Sequence, residues 1–191
     1  TAVDADDLME DMFQNAKSIA EELGKIDKSQ NNETNELYET VGMGALKYFM
    51  LKVDPKKRML FDPQESIDFN GNTGPFIQYT YARIQSILRK NNGDIKIDED
   101  SNITDKERAL IISLLEFPKT IQEAANSFSP ALIANYVYEV VKDFNSYYQS
   151  TSILGADSPS IISFRVALSQ QTAKVIKSSM SLLGINVPQR M

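Results

Sequence analysis

Two aromatic rings and a guanidinium group share one face of a predicted helix. Phe76, Tyr79 and Arg83 follow one another at spacings of three and four residues, which places them on one side of an α-helix. Aromatic rings stack on unpaired bases and a guanidinium group binds phosphate, so this face has the chemistry of a site for single-stranded nucleic acid. The alternative is that both rings are buried, because aromatic residues at helical spacing usually belong to a core.

Local signals predict where that helix begins and ends. Gly74 and Pro75 mark its start, because proline at the first helical position gives up an N–H that has no partner there. Asn91 and the polar residues after it end the helix near Lys90. A separate stripe on another face has the spacing of core residues: Ile77, Tyr81, Ile84 and Leu88.

Helical patterns also account for most of the remaining chain. Thr104 and Glu107 have the spacing of a capping box, and Gly184 is predicted to end the last helix in a left-handed conformation. Residues 28–35 are predicted to be a loop, and 59–61 and 66–69 a small strand pair. The predicted helices are residues 4–24, 36–51, 75–90, about a dozen residues after Thr104, 119–127, 130–150 and 160–183.

These elements predict an all-α helical bundle over residues 71–191, preceded by a small, mostly helical connecting segment over residues 1–70. Gly42 and Gly44 lower helix propensity in the second helix, so we expect them to allow close packing or a kink. The 191 residues are enough to bury a sizeable core.

Composition excludes several kinds of site. The chain has no cysteine and no histidine, so disulfides, thiolate metal sites and histidine bases are absent. The acidic run that ends at Asp11 is interpreted as a solvated helix face, and no motif for catalysis or metal binding appears. No apolar run is long enough to cross a membrane, and the acidic amino-terminal residues do not resemble a signal peptide.

Charge is distributed unevenly along the chain. The net charge is −6, which opposes a nucleic-acid partner. Residues 1–40 carry eleven acidic and three basic side chains, whereas residues 158–191 carry four basic and no acidic ones. Residues 69–97 carry four basic side chains and one acidic side chain, that of Asp94. The acidic excess therefore lies mostly in the amino-terminal part.

Four segments, in order, carry a resemblance to a known family. They are Val41–Phe49, Asn72–Ile87, Phe144–Tyr148 and Leu182–Met191. Together they resemble the anticodon-binding domain of arginyl-tRNA synthetases, with Asn72–Tyr79 as the most distinctive part. The resemblance covers nearly the whole chain and implies a helical bundle of the class I synthetase anticodon-binding type.

The resemblance implies a function for the parent protein and a role for this chain. The parent joins arginine to its tRNA with ATP and magnesium, in the cytoplasm. The chain is interpreted as a carboxy-terminal fragment, since the family's His-Ile-Gly-His-type and Lys-Met-Ser-Lys-Ser-type motifs are absent from it. It is expected to be inactive alone, to require no cofactor itself, and to be a monomer. Its expected partners are the anticodon stem-loop of tRNA(Arg) and the catalytic domain of the same protein.

Carried over position by position, the resemblance assigns contacts with the anticodon region to Asn72, Phe76, Tyr79, Arg83, Tyr148 and Met191. Tyr147 and Tyr148 cannot face the same way on a helix. We expect one to pack inward with its hydroxyl hydrogen-bonded and Tyr148 to meet RNA. The alternative is that both are structural. The alternative function is a non-catalytic helical module that binds protein through Phe76, Tyr79 and Arg83, because aromatic and arginine side chains are also common at protein interfaces.

Overall fold

The computed structural model describes residues 4–22, 31–95 and 103–191, and within these ranges the chain forms eight α-helices and no strand. The predicted all-α fold is therefore confirmed. In chain order the helices are α1 (Ala5–Glu22), α2 (Asn31–Leu51), α3 (Pro63–Ser66), α4 (Gly74–Lys90), α5 (Asp105–Leu115), α6 (Phe117–Ser127), α7 (Pro130–Ser150) and α8 (Pro159–Leu182).

The predicted strand pair over 59–61 and 66–69 is wrong, because neither segment forms a strand and Ser66 belongs to the short helix α3. Asp62 precedes α3, and its carboxylate accepts hydrogen bonds from the backbone N–H groups of Gln64 at 2.9 Å and Glu65 at 3.1 Å. Pro63 at the first helical position favours the same start. An aspartate cap followed by proline therefore prevents an extended conformation here.

Two helix boundaries also differ from the prediction. α2 begins at Asn31, so residues 31–35 are helical and not a loop, while 28–30 lie outside the described residues. α6 begins at Phe117, two residues before the predicted start, because Pro118 is tolerated in its first turn. The predicted end of the first helix at Gly24 also lies outside the described residues.

The predicted capping box of α5 and the predicted left-handed glycine after α8 are confirmed. The structure adds a cap that the sequence analysis did not predict, because the Thr73 hydroxyl accepts from the backbone N–H of Phe76 at 3.3 Å at the start of α4. Thr104 and Glu107 form the reciprocal capping box of α5. Gly184 has a φ of +66°, the left-handed conformation expected of a glycine after a helix.

The buried residues form two hydrophobic clusters. The main cluster fills the space among α4–α8 and includes Ile84, Phe144 and Ile176. The second lies between α1 and α2 and includes Met12. α2 packs on both clusters, because its Tyr48 is buried in the main one. The domain boundary near residue 70 stays a prediction.

α2 and α4 approach each other closely at two glycines. A Cβ atom at Gly74 would lie 2.4 Å from the carbonyl oxygen of Gly44, and one at Gly44 would lie 2.3 Å from Nε2 of Gln78. A Cβ at Gly42 would lie 2.7 Å from the carbonyl oxygen of Met12 on α1. The glycines of α2 therefore allow close packing, one of the two roles that the sequence suggested.

Candidate nucleic-acid interface

Arg83 lies between two tyrosine rings that come from different helices. Its guanidinium carbon is 4.9 Å from the ring centroid of Tyr79 on α4 and 5.1 Å from that of Tyr148 on α7. Both distances are in the range of cation–π contacts. The structure therefore brings together three of the predicted site residues at the junction of α4 and α7.

Asn145 fixes the orientation of that guanidinium group. Arg83 donates a short hydrogen bond from a terminal guanidinium nitrogen to Oδ1 of Asn145. The amide nitrogen of Asn145 donates to the Thr80 hydroxyl at 2.9 Å, and that hydroxyl donates to the Phe76 carbonyl oxygen at 3.0 Å. Because Asn145 is only 8% exposed, this chain of bonds is shielded from water and holds Arg83 in one direction.

Tyr147 and Tyr148 face opposite environments, as the sequence predicts. Tyr147 is fully buried, whereas Tyr148 is 39% exposed and its ring stacks on Phe144 with centroids 6.2 Å apart. The prediction that the buried hydroxyl is hydrogen-bonded is wrong. The Tyr147 hydroxyl has no partner in the described part of the chain, and burial raises its pKa. The ring of Tyr148 thus offers a surface to a ligand.

Phe76 and Tyr79 are half-buried. The sequence left open whether their rings are exposed to a ligand or buried in the core, and the structure lies between these alternatives. Phe76 packs against the main cluster, and its ring centroid is 6.0 Å from that of Tyr138. Tyr79 meets the ring of Phe69 edge to face at 6.3 Å. Each ring therefore has structural neighbours as well as an exposed part.

Asn72 precedes α4 and is hydrogen-bonded to α2. The Tyr48 hydroxyl lies 2.6 Å from Oδ1 of Asn72 and 2.9 Å from the carbonyl oxygen of Ala134, and it shares its one proton between them. Lys52 donates to the backbone carbonyl of Asn72 at 3.0 Å. The amide nitrogen of Asn72 has no partner among the described residues and can donate to a ligand.

Met191 packs against the second cluster, and so does Phe69. Side chains hold the backbone of the segment that leads to it. Gln78 donates to the carbonyl oxygen of Asn186 at 2.8 Å and to that of Thr40 at 2.9 Å. Arg89 donates to the carbonyl oxygen of Gln189 at 3.0 Å. The carboxy-terminal segment, residues 184–191, therefore runs beside α2 and α4.

Acidic side chains near this junction are engaged. On α7, Glu139 pairs with Lys142 at 2.8 Å, and Asp143 accepts from the Ser113 hydroxyl at 2.5 Å. The exposed Lys90 lies on the same face of α4 as Arg83, two turns farther along. Arg83 and Lys90 therefore give this face of α4 two cationic groups despite the net charge of the chain.

Sequence reasoning missed Asn145 and Gln78. Asn145 lies within a segment that resembles the family. Its role is to bind Arg83, and the sequence does not show that these two residues meet. The available signal was a polar residue at a core-facing position of α7, three residues before Tyr148. Gln78 lies next to the apolar stripe of α4 and gives no comparable signal.

No metal or membrane-spanning feature accompanies this site. Within residues 4–22, 31–95 and 103–191, no group of three or more acidic side chains could hold a metal ion. No helix in the same ranges is long and apolar enough to cross a membrane.

Comparison with known proteins identifies similar sequences. The profile of one family, described as the DALR anticodon binding domain, matches residues 77–191. The chain is 56% identical over 191 residues to the arginine–tRNA ligase of Flavobacterium psychrophilum, a match that covers 100% of this chain and 32% of that protein. The chain spans about a third of the length of the curated relatives it matches.

Solved structures show the same architecture. Arginyl-tRNA synthetase from Thermus thermophilus superimposes with a TM-score of 0.91 at 33% identity, over 100% of this chain and 32% of that one. The Plasmodium falciparum arginyl-tRNA synthetase superimposes with a TM-score of 0.86 at 24% identity, over 99% of this chain and 34% of that one. The second similarity supports the fold alone.

Proposed function

Since this chain belongs to the family of DALR anticodon binding domains, we propose that it is the anticodon-binding part of an arginine–tRNA ligase. In this role it binds the anticodon stem-loop of tRNA(Arg) and orients the tRNA, while another part of the longer protein joins arginine to the tRNA. Binding energy from the anticodon then serves to position the distant acceptor end. The similarity to arginine–tRNA ligases over the whole chain supports the choice of tRNA.

The observation that carries the proposal is the position of Arg83 between two tyrosine rings. Tyr148 has an exposed ring on which an unpaired base can stack, and each such stack contributes about 1–3 kcal/mol. Arg83, oriented by Asn145, supplies charged donors for a phosphate or a base edge. Stacking and a directed cation are what recognition of a splayed RNA loop requires.

The remaining predicted site residues receive subsidiary roles. Phe76 and Tyr79 provide apolar surface beside Arg83. Asn72 offers its amide nitrogen at the start of α4. Met191 contacts the anticodon loop from the carboxy-terminal segment, which Gln78 and Arg89 hold against α4.

The other expected properties of the parent protein belong to the same proposal. ATP and magnesium act in its catalytic part, as the resemblance to arginyl-tRNA synthetases implies. The chain contacts that catalytic part, functions as a monomer and acts in the cytoplasm, where the tRNA is aminoacylated.

The proposal is tested by RNA binding with a variant of Arg83. Arg83→Ala removes the stacked cation, so we expect about a tenfold or larger loss of affinity for tRNA(Arg) and a shallower dependence of affinity on salt. The measurement is a gel-shift titration at several salt concentrations. Affinity and salt slope equal to those of the unaltered chain would contradict the assignment.

A second titration tests specificity and separates the alternative function. The unaltered chain is expected to bind tRNA(Arg) more tightly than the same tRNA with an altered anticodon. A chain that shifts neither RNA, but retains a protein partner through Phe76, Tyr79 and Arg83, would instead be a protein-binding module.

A further inference from the structure

The sequence contains two Asn-Gly pairs, and they flank the helix that carries Arg83. Asn70-Gly71 lies just before α4 and Asn92-Gly93 just after it. In both pairs the asparagine side chain is exposed. The side-chain amide of asparagine is thermolabile. When glycine follows, its backbone nitrogen can attack the side-chain carbonyl carbon without hindrance from a Cβ atom.

This reaction is a deamidation that consumes water and releases ammonia. The backbone nitrogen of Gly71 loses its proton and bonds to the side-chain carbonyl carbon of Asn70, and the amide nitrogen takes up a proton and leaves as ammonia. Water then opens the succinimide ring by breaking a C–N bond. Opening at the main-chain carbonyl gives isoaspartate, and opening at the side-chain carbonyl gives aspartate. Either product carries a negative charge that asparagine lacks.

The groups that must react are available at the first pair. Among the described residues, neither the Gly71 N–H nor the Asn70 side-chain amide has a hydrogen-bond partner. Other groups make the bonds of this segment. The Asn70 N–H donates to Oδ1 of Asp68 at 2.8 Å, and the Thr73 N–H donates to the Gly71 carbonyl oxygen at 2.9 Å. Ring closure here therefore breaks no hydrogen bond of the attacking nitrogen or of the amide that it attacks.

The second pair is held by the residue that precedes it. The Gly93 N–H donates to Oδ1 of Asn91 at 3.4 Å, and the Asn91 amide nitrogen donates to the Gly93 carbonyl oxygen at 2.7 Å. For Asn92 to react, the Gly93 nitrogen must first leave its acceptor, which costs free energy. The folded chain therefore protects this pair more than it protects the first.

Isoaspartate at position 70 would lie inside a turn that a hydrogen bond closes. The Thr73 hydroxyl donates to the Asp68 carbonyl oxygen, across Asn70 and Gly71. Isoaspartate lengthens the main chain between these ends by one carbon atom, which disturbs that bond. Because the same hydroxyl caps α4, and because Asn72 lies beside it, the change reaches a candidate RNA contact.

From these contacts, we propose that Asn70-Gly71 is a site of spontaneous deamidation in the folded chain, and that its conversion to isoaspartate weakens RNA binding at the start of α4. The new carboxylate repels phosphate, and the lengthened turn displaces Asn72. The chemical step depends only on this chain, whereas its effect on RNA rests on the proposed function.

Peptide mapping of an aged sample tests the chemical step. The purified chain is held at physiological temperature and mildly alkaline pH, both folded and in guanidinium chloride. Trypsin cleavage at Arg83 separates the two pairs, and mass spectrometry measures conversion of amide to carboxyl in each peptide. A protein-isoaspartate methyltransferase with a labelled methyl donor measures isoaspartate. In the folded chain, conversion is expected to be several-fold faster at Asn70 than at Asn92, whereas in denaturant the two rates should be similar.

Gly71→Ala is the matched variant for this measurement. It keeps Asn70, and its added Cβ would make an ordinary contact of 3.5 Å with Thr73, so the variant is expected to fold. Because that Cβ hinders the attacking nitrogen, conversion of Asn70 should become several-fold slower. The site is overturned if Asn70 stays intact in the folded chain while the denatured chain converts. Equal rates at Asn70 and Asn92 in the folded chain would also overturn it.

The effect on RNA is measured separately. Ion-exchange chromatography isolates the converted chain by its added charge, and a gel-shift titration with tRNA(Arg) compares it with the fresh chain. We expect several-fold weaker binding after conversion, whereas aged and fresh Gly71→Ala should bind alike. Equal binding of the converted and the fresh chain would refute the effect on RNA. If the fresh chain does not bind the tRNA, the proposed function and this effect are both refuted, and peptide mapping still decides the chemical step.

Discussion

At the scale of single residues, the function proposed here depends on how Arg83 is held. A free arginine side chain loses conformational entropy when it binds RNA, and one already held between two rings loses less. Asn145 supplies the remaining constraint through its hydrogen bond to the guanidinium group. The affinity of this surface should therefore depend on a residue that itself reaches little solvent.

Substitution of Asn145 tests that dependence. Asn145→Ala removes the acceptor for Arg83, so we expect several-fold weaker RNA binding. Thr80→Val removes only the partner of the Asn145 amide and should weaken binding less. RNA affinity and thermal unfolding are measured for Asn145→Ala both in the unaltered chain and in the Arg83→Ala variant. If Asn145→Ala weakens binding equally with and without the Arg83 side chain, its effect is not exerted through Arg83.

Glu107 illustrates a residue whose role is structural. It is 1% exposed, caps α5 and accepts from Nε of Arg165 on α8 at 2.8 Å. Burial alone raises the pKa of this carboxyl group, but hydrogen bonds from Thr104 and Arg165 outweigh it and hold the pKa below its ordinary value of 4.5. The ionised form is thus stabilised more in the folded chain than in the unfolded one.

The sign of the pH dependence follows from that direction. Stability from Glu107 is fully present above about pH 4.5 and is lost as the pH falls below it. Glu107→Gln should lower the free energy of unfolding at neutral pH by about 3 kcal/mol, because it leaves Arg165 without its partner. Urea unfolding over a pH series should show a smaller further loss in acid for Glu107→Gln than for the unaltered chain. Parallel pH curves would contradict this account.

At the scale of elements, the contact of α2 with α4 positions the interface. α4 carries Tyr79 and Arg83, and its first turn touches the backbone of α2 at Gly44. A side chain at Gly74 would press on the backbone of α2, whereas one at Gly44 would collide with the side chain of Gln78. Gly74 is required because the backbones of α2 and α4 approach closely there, and not because its φ is positive.

Gly74→Ala tests this contact. The added Cβ would lie 2.4 Å from a backbone oxygen that cannot turn aside, so we expect a loss of about 1–3 kcal/mol in the free energy of unfolding. Gly71→Ala is the control, since its Cβ would make an ordinary contact of 3.5 Å with Thr73. Chemical unfolding measures both. Equal stability of the two variants would show that the helices can move apart without cost.

At the scale of the whole molecule, the carboxy-terminal segment joins parts that are distant in the sequence. Gln78 lies at the centre of this arrangement, with hydrogen bonds to both Thr40 and Asn186. Lys47 adds a bond to the Gly184 carbonyl oxygen at 2.8 Å. Through these contacts the segment that carries Met191 is fixed to α2 and α4 at once.

Gln78→Ala should release that segment. We expect faster proteolysis at Arg190 and weaker RNA binding, approaching the affinity of a chain truncated before Asn186. Gln189→Ala is the matched control, because Gln189 bonds Arg89 through its backbone and its own side chain is exposed. Limited trypsin digestion and a gel-shift titration check both effects. An unchanged digestion rate in Gln78→Ala would show that the other contacts suffice.

The sequence by itself determined the helices other than α3, and it supplied the residues that are proposed to bind RNA. The periodicity of α4, its start at Gly74 and Pro75, the capping box at Thr104 and the left-handed Gly184 all depend on neighbours a few residues away, which is why they could be predicted. The strand pair near Pro63 was wrong because an aspartate cap and a proline outweighed β propensity. The early start of α2 had no local signal.

Only the tertiary structure decided which of these residues meet. Arg83 and Asn145 are 62 residues apart, and Gln78 and Asn186 are 108 apart. Contacts over such separations depend on the distance and angle at which helices pack, and that geometry is set by whole interfaces such as the Gly44–Gly74 contact. The sequence could therefore propose Arg83 and Tyr148 as candidate site residues, but not the buried asparagine that holds Arg83 beside Tyr148.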